Sequence, residues 1–212
     1  MQRREFSAAL AGAGALVLGL PAAAQGGFVE GTHYVRLSQP VPTTAAGKVE
    51  VLEFFMYSCP HCNAFEPALE AWAKKLPDHV VFRRVPVRFR GEPEGLHQRI
   101  FYTLEAMGLV EAMHRKVFHA YHVERQKLAT QAEVEALVTK NGVDAAKFVE
   151  VMNSFGVQAK ARQALTLAEA YKIDGVPAMG VQGRYYTSGG LAGNNERMLA
   201  VADYLIAASR KG

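Results

Sequence analysis

The sequence predicts an α/β fold in which an all-helical block interrupts a sheet-containing domain. Residues 49–55 are β-branched, apolar and aromatic apart from two glutamates, and they precede a segment with helical periodicity. Residues 96–171 are rich in Ala, Leu, Glu, Lys and Gln and contain no convincing strand pattern. Two short strand patterns and an amphipathic helix follow. We therefore expect segments on both sides of the helical block to build one sheet.

Residues 1–24 have the layout of an export signal peptide that is cleaved. Arg3 and Arg4 give a basic start, a stretch of apolar and small residues follows, and alanines at 22–24 form the cleavage site. The apolar stretch is shorter than the roughly 20 residues that a membrane-spanning helix needs. The arginine pair is typical both of a twin-arginine signal and of an ordinary basic start, so twin-arginine export and general export both remain as alternatives.

Composition and charge argue against a nucleic-acid partner. The chain has 24 basic and 20 acidic residues; residues 1–24 hold two arginines and one glutamate, so 22 basic and 19 acidic residues remain without them, a net charge of +3. The densest basic stretch, residues 83–90, is interleaved with apolar residues as in a strand. The remaining 188 residues are long enough to bury the core of one domain, with or without an insertion.

The predicted central strand, residues 49–55, ends shortly before two cysteines, and a helix is predicted directly after them. Apolar residues recur there at helical spacing: Phe65, Leu69, Trp72, Ala73 and Leu76. Pro77 and Asp78 end this pattern. A second strand is predicted over residues 80–87. Residues 91–95, with two glycines and a proline, predict a loop.

The helical block is expected to break near Gly108, at residues 129–130 and at residues 141–142. Thr130 and Glu133 have the spacing of a capping box, and a new helix is expected to start at Asp144. These breaks divide residues 96–171 into several helices.

The last part of the chain predicts a hairpin and a helix. Residues 176–181 and 184–187 have strand patterns, and Gln182-Gly183 is typical of the turn between them. Gly189-Gly190 is expected to loosen the chain before the last helix. Asn194 or Asn195 is expected to cap that helix. Its apolar face is formed by Met198, Leu199, Val201, Ala202, Leu205 and Ile206.

The chain has only two cysteines, Cys59 and Cys62, and they lie three residues apart. A bridge between them would close so short a loop that it would remove little entropy from the unfolded chain. In an oxidising exported compartment such a pair indicates redox chemistry rather than a structural staple. A zinc site would need four ligands, and no second cysteine pair or nearby histidine pair completes one, so no metal is expected.

The position of the cysteines predicts that they differ in reactivity. Cys59 is placed at a helix start, where free N–H groups and the helix dipole stabilise a thiolate, and Pro60 suits the first helical position. His61 is expected to add to the stabilisation of the thiolate; its alternative is an exposed histidine without a role. We expect Cys59 to be the exposed attacking sulfur and Cys62 the buried resolving sulfur.

Three segments together resemble the DsbA family of bacterial thiol:disulfide interchange proteins. These are the Leu-Glu-Phe-Phe strand at 52–55, the Cys-Pro-His-Cys motif at 59–62 and the Val-Pro-Ala segment at 176–178. The resemblance covers nearly all of the mature chain. It implies a thioredoxin fold with an inserted all-helical domain, in which residues 25–92 and 172–212 form the thioredoxin-like domain and residues 93–171 the insertion.

The resemblance assigns roles to three further residues. It implies that the Val176-Pro177 bond is cis and faces the cysteines, leaving the Val176 backbone free to pair with an extended substrate; a trans turn proline is the alternative. Glu53 is an acid in an otherwise apolar strand, and the family places a glutamate there that tunes Cys62 or moves protons. Arg84 stands where the family usually has lysine. Because arginine does not deprotonate, ion pairing or a purely structural pair is expected instead of proton shuttling.

The resemblance implies a periplasmic oxidase that donates its Cys59–Cys62 disulfide to reduced, unfolded exported proteins. It would be re-oxidised by a membrane partner resembling DsbB and would need no cofactor besides that disulfide. Two alternatives remain: an isomerase or reductase of the DsbC or DsbG kind, and an exported binding module without redox turnover. Because DsbC and DsbG add an N-terminal dimerisation domain and only about 24 residues (25–48) precede the first core strand, a monomer is favoured.

The other histidines and the large aromatic residues are expected to be structural. His114, His119 and His122 lie in the helical block, and only His119 and His122 share a helix face, so surface or core-edge positions are favoured over metal ligation. Four aromatic residues are expected in the core: Phe65, Trp72, Phe101 and Phe118.

Overall fold

The computed structural model describes residues 27–89 and 95–210, which form one mixed sheet with helices on both faces. The strands are β1 (Val35–Arg36), β2 (Val49–Phe55), β3 (Val80–Pro86), β4 (Ala178–Val181) and β5 (Tyr185–Ser188). The helices are α1 (Pro60–Ala73), α2 (Leu96–Ala106), α3 (Val110–His122), α4 (Gln131–Lys140), α5 (Ala145–Met152), α6 (Phe155–Ala170), α7 (Gly189–Ala192) and α8 (Asn195–Ser209). The predicted signal peptide and most of the predicted loop at 91–95 lie outside the described residues.

Strand β2 lies inside the sheet, as predicted. The strand order is β1-β5-β4-β2-β3; β2 pairs with β3 in parallel and with β4 antiparallel. All seven residues of β2 are buried, which is why the segment is almost continuously apolar. In the parallel register Glu53 lies opposite Arg84.

The two faces of the sheet are covered by different helices. Leu52 and Phe54 belong to the hydrophobic core shared with helices α2–α6, whereas Val49 and Val51 belong to the core shared with α1 and α8. This alternation follows from the two-residue period of a strand. Three of the four aromatic residues predicted in the core are buried: Phe65, Phe101 and Phe118; Trp72 is partly buried.

The helical block contains the predicted breaks and one that the sequence did not indicate. Thr130 and Glu133 form both hydrogen bonds of a capping box, and Asp144 caps α5. The additional break separates α5 from α6, where the Ser154 side chain accepts a hydrogen bond from the Val157 N–H. The predicted domain boundary at 92/93 lies outside the described residues, and the domain limits stay a prediction.

The β4–β5 hairpin forms as predicted. Gln182 and Gly183 both have positive φ, 53° and 62°, as the two central residues of a type I′ turn require, and the N–H of Arg184 donates to the carbonyl oxygen of Val181 at 3.0 Å to close the turn. A β-carbon at Gly183 would lie 1.8 Å from the carbonyl oxygen of Val41, so the close approach of the chain also demands glycine. The N–H of Gly183 donates to the hydroxyl of Tyr171, which ties the turn to the end of α6.

The prediction of a loosened chain at Gly189-Gly190 was wrong. These glycines form the first turn of the short helix α7, because the side chain of Ser188 caps it by accepting a hydrogen bond from the Leu191 N–H at 3.3 Å. Asn194 then caps α8, as one of the two expected asparagines. Strand β1 was not predicted; with two residues it is too short to show a period. No helix among the described residues has the length and apolar character needed to cross a membrane.

Candidate active site

Cys59 stands at the junction between β2 and α1. It is the N-cap residue of α1, with extended backbone angles (φ −82°, ψ 118°), and Pro60 occupies the first turn. The backbone N–H of Cys62 donates to Cys59 Sγ at 3.4 Å. The sulfur therefore takes the place that a serine or aspartate oxygen takes at other helix starts, where an anion is stabilised.

The two cysteines are free thiols of unequal accessibility. Cys62 is 0% exposed, as predicted for a buried sulfur, but Cys59 is 8% exposed and therefore less accessible than predicted. The difference arises because Cys59 Sγ lies 3.4 Å from the carbonyl oxygen of Val176, so the chain before Pro177 covers part of the sulfur. Helix periodicity could not reveal this contact, since the two segments are 117 residues apart.

The pKa values of the two thiols move in opposite directions. The pKa of Cys59 is lowered to about 6, chiefly by a hydrogen bond from the Cys62 thiol, while burial opposes the shift; backbone N–H groups of Cys62 and His61 and then the charge of His61 add to the lowering. The pKa of Cys62 is raised, first by burial and then by its hydrogen bond to Cys59. At neutral pH the reduced pair is therefore a Cys59 thiolate beside a Cys62 thiol.

His61 and the segment around Pro177 border the cysteines on the exposed side. The Val176-Pro177 bond is cis, as predicted. A groove of about 510 Å³ adjoins the motif and is lined mainly by polar residues and glycines. Its lining comprises His61, Ala64, Phe65, Asp174, Gly175, Val176, Pro177, Ser188, Gly189, Gly190, Asn194, Asn195 and Glu196.

A group of ionisable side chains is buried behind the cysteines, and we call Glu53, Glu66, Arg84 and His114 the buried charge cluster. Arg84 Nε lies 3.2 Å from Glu53 Oε2, and another guanidinium nitrogen of Arg84 donates to Glu66. His114 Nε2 lies 3.5 Å from Glu66 Oε2, and its Nδ1 lies 2.8 Å from the hydroxyl of Tyr57. The predicted contact between Glu53 and Arg84 is thus part of a larger network.

Burial controls protonation in this cluster. The pKa of Glu53 is raised well above its ordinary value by burial and by the negative charge of Glu66, against the attraction of Arg84. Burial also acts to raise the pKa of Glu66, but His114 and Arg84 outweigh it and lower that pKa. The pKa of His114 is lowered by burial. With both thiols free, these directions favour the protonated form of Glu53, the ionised form of Glu66 and the neutral form of His114.

Sequence reasoning missed Glu66, Tyr57 and His114. Placing His114 at the helix surface or core edge was wrong: it is 2% exposed. Val117 and Phe118, three and four residues further along α3, are also buried. The position of His114 on the same apolar helix face could therefore have indicated that it is buried. Likewise Glu66 follows Cys62 by four residues on the buried face of α1.

The described residues contain no group of three or more His, Cys, Asp and Glu side chains placed to hold a metal ion. His119 is exposed and pairs with Glu124, and His122 Nε2 lies 2.8 Å from the carbonyl oxygen of Tyr57. Both histidines therefore have structural partners.

A family model, described as the DSBA-like thioredoxin domain, matches residues 50–205 of the chain. The chain belongs to the DsbA family. It is 45% identical over 183 residues to the thiol:disulfide interchange protein DsbA of Pseudomonas aeruginosa strain PAO1, covering 86% of each chain. It is 46% identical over 215 residues to DsbA of Bordetella pertussis, covering 100% of each.

Solved DsbA structures have the same fold. The crystal structure of Pseudomonas aeruginosa DsbA matches with a TM-score of 0.82 and 45% identity, over 85% of this chain and 94% of that chain. The oxidoreductase DsbA from Xylella fastidiosa matches with a TM-score of 0.80 and 29% identity, over 87% of this chain and 98% of that one. This DsbA family member is therefore a thiol-disulfide oxidoreductase with a thioredoxin fold and a helical insertion, and the family's redox group is the protein's own disulfide.

Proposed function

We propose that this protein is a periplasmic oxidase that donates the Cys59–Cys62 disulfide to reduced, unfolded exported proteins. The low pKa of Cys59, about 6, carries the proposal. A stabilised thiolate favours the reduced enzyme over the disulfide, so the enzyme tends to give its disulfide away. Cys59, at the helix N-terminus, and Cys62, behind it, supply the two sulfurs, and Pro60 starts the helix that creates this environment.

The proposed reaction is a pair of thiol-disulfide exchanges. A substrate thiolate attacks Cys59 Sγ, the Cys59–Cys62 bond breaks, and the electron pair leaves on Cys62, which takes up a proton. A second substrate thiolate attacks the substrate sulfur of the mixed disulfide, and Cys59 leaves as a thiolate. The substrate loses two electrons, and the enzyme gains them as a dithiol. Glu53, whose pKa is raised by burial, is the proposed proton source for Cys62.

The groove beside Pro177 is the proposed substrate platform. The carbonyl oxygen of Val176 lies 3.4 Å from Cys59 Sγ, so an extended segment that pairs with the Val176 backbone would bring its cysteine to the reacting sulfur. The groove is lined mainly by polar residues and glycines, and among them Asn195 has a side-chain amide that can bond to a peptide backbone. This suits an enzyme that accepts many unfolded sequences. His61 borders both the groove and Cys59 and is proposed to stabilise the thiolate.

Location and partners complete the proposal. Residues 1–24 would direct export to the periplasm and be removed there, leaving a mature chain that begins at Gln25. A membrane partner resembling DsbB would re-oxidise the dithiol, and the protein would act as a monomer. N-terminal sequencing of the periplasmic protein tests the proposed export and cleavage. Cleavage at another position, or retention of the protein in the cytoplasm, would contradict this part of the proposal.

A trapping experiment tests the function. With Cys62→Ala, the Cys59 thiolate can still attack a substrate disulfide, but no Cys62 thiol is left to release the substrate again, so a mixed disulfide should accumulate on Cys59. The oxidised wild-type protein should oxidise a reduced, unfolded substrate, and Cys59→Ser should abolish this oxidation. Faster insulin reduction than substrate oxidation would instead favour a reductase or isomerase. Oxidation that is unaffected by Cys59→Ser would leave only the non-redox binding module.

A further inference from the structure

Three arginines line one surface cavity of about 280 Å³, which we call the arginine cavity. Arg88 comes from the segment after β3, Arg99 from α2 and Arg162 from α6. The rest of the described lining consists of glycine, glutamine and apolar residues, without an acidic side chain. Residues 90–94 lie outside the described residues and form no part of this site. The described cavity therefore concentrates positive charge.

The arginines of this cavity lack the acidic partners that other arginines of the chain have. Within residues 27–89 and 95–210, Arg88 and Arg162 make no hydrogen bond or ion pair, and Arg99 bonds only to the side-chain oxygen of Asn153, at 3.4 Å. Four other arginines pair with glutamates: Arg36, Arg83, Arg84 and Arg115. Guanidinium groups around one cavity repel one another, and an oxyanion bound between them would relieve this repulsion and accept their N–H groups.

An exposed aromatic residue shares a helix face with this cavity. Phe155 is the first residue of α6 and is 82% exposed, more than any other large hydrophobic residue described. Gln158 and Arg162 follow it by three and seven residues and line the cavity, so the helical period places all three on one side of α6. An exposed ring beside cations is typical of surfaces that bind anionic membranes, where the ring enters the interface and the cations contact headgroups.

The arginine cavity lies at the same end of the sheet as the cysteines. Strands β2 and β3 are parallel, with Phe55 opposite Pro86. Cys59 follows the end of β2, and Arg88 follows the end of β3, so both residues stand beyond the same edge of the sheet. Contact between the cavity and a flat surface would therefore hold the Cys59 end of the molecule close to that surface.

We propose that the arginine cavity and Phe155 form a docking surface for a membrane that contains anionic phospholipids. A headgroup phosphate binds between the arginines, and the Phe155 ring enters the interface. Free phosphate would account for the arginines but not for the exposed ring. The chain neighbours of Phe155, Ser154 and Gly156, offer a protein partner no apolar surface, whereas a lipid interface surrounds the ring. Docking involves no redox step and so goes beyond the proposed function, although it would turn Cys59 toward the proposed membrane partner.

Sedimentation with lipid vesicles tests this docking surface. The exported protein, freed of its signal, should bind vesicles of equal parts phosphatidylglycerol and phosphatidylcholine, but hardly bind pure phosphatidylcholine, and added salt should weaken the binding. Arg88→Gln and Arg162→Gln, at exposed positions, should each lower the partition coefficient about fivefold. Phe155→Ser should lower it about tenfold. Arg184→Gln is the matched control, since this exposed arginine follows the hairpin turn at the opposite end of the sheet, and it should bind like wild type.

Three results would overturn the proposal. The first is equal binding to both kinds of vesicle, or an equal loss for Arg162→Gln and Arg184→Gln. The second is competition by inorganic phosphate together with unchanged vesicle binding of Phe155→Ser, which would leave a phosphate site without a membrane surface. The third is unchanged vesicle binding of the arginine variants with slower oxidation of an acidic unfolded substrate, which would make the partner a protein. Cys59→Ser should bind vesicles like wild type while losing oxidation, so failure of docking and failure of the proposed function are distinguishable.

Discussion

At the residue scale, the thiols of Cys59 and Cys62 differ in burial and in hydrogen bonding, and this determines which sulfur is ionised. Cys59 accepts hydrogen bonds from the Cys62 thiol and from backbone N–H groups, whereas the Cys62 sulfur is fully buried. The helix start was evident from the sequence. The dominant contribution of Cys62 was not, because it depends on the orientation of a side chain one turn further along.

Replacing Cys62 tests that contribution. We expect Cys62→Ala to raise the pKa of Cys59 above its value of about 6, because the largest stabilising hydrogen bond is removed. Cys62→Ser keeps an O–H donor and should leave the pKa closer to wild type. The ultraviolet absorbance of the thiolate, followed against pH, measures both. An unchanged midpoint in Cys62→Ala would show that the backbone alone stabilises the thiolate.

Removing the cation of the buried charge cluster should be severe. Arg84→Ala leaves two buried carboxyl groups without their cation and should lower the free energy of unfolding by about 3–5 kcal/mol. Buried carboxyls without a cation have raised pKa values in the folded state. The unfolded state then binds fewer protons, so the stability of the variant falls as the pH rises above the unfolded carboxyl pKa.

Arg83→Ala is the matched control, one residue away. Arg83 pairs with Glu50 at 2.8 Å but is more exposed, and Glu50 keeps its hydrogen bonds from the hydroxyl and the N–H of Thr44. We expect a loss of about 1 kcal/mol or less. Urea unfolding at several pH values measures the stability of both variants. Equal losses of unfolding free energy would contradict the larger stabilising role expected of Arg84.

At the element scale, the site depends on the pairing of the hairpin with the central strand β2. Strand β4 pairs with β2 and brings the segment around Pro177 to Cys59. The sequence predicted β2, the hairpin, the capping box and the last helix, because strand composition, turn residues and cap spacing are local signals. It did not predict β1, α7 or the break at Ser154, which are short and depend on single caps or on pairing with β5.

Gly180 tests the packing of β4 against the helical block. A β-carbon there would lie 2.4 Å from the ring of Tyr171, which is itself fully buried and cannot move aside. We expect Gly180→Ala to cost about 1–3 kcal/mol of unfolding free energy. Gly156→Ala, in α6 with no atom within 4 Å, should be neutral or stabilise by up to about 1 kcal/mol. Equal thermal or urea stability of the two variants would contradict this packing.

At the scale of the whole molecule, the sequence predicted the architecture and the cysteine chemistry but not the buried charge cluster. Tyr57 and His114 are 57 residues apart, and Arg84 and Glu66 are 18 apart. Such contacts arise only after α1, α3 and the sheet have packed. Glu53 stood out because it interrupts an apolar strand, and its register with Arg84 followed from pairing β2 with β3 in parallel.

Folding and redox state should be linked through pH. In the reduced protein the pKa of Cys59 is about 6 when folded and near the ordinary value of a cysteine when unfolded. Between these values unfolding takes up a proton, so the stability of the reduced form should rise with pH by about 1.4 kcal/mol per pH unit and lose this contribution below pH 6. The disulfide form has no such titration. Urea unfolding of both forms across this range measures the difference, and parallel pH dependence would contradict it.

The central claim, that the stabilised Cys59 thiolate makes this protein an oxidase, is tested most directly by its reduction potential against glutathione. We expect equilibrium to favour the reduced enzyme, with a potential above about −200 mV at neutral pH. Cys62→Ala cannot form the pair and serves as the control without a redox transition. A potential below that of the glutathione couple would make the protein a reductant and would contradict the claim.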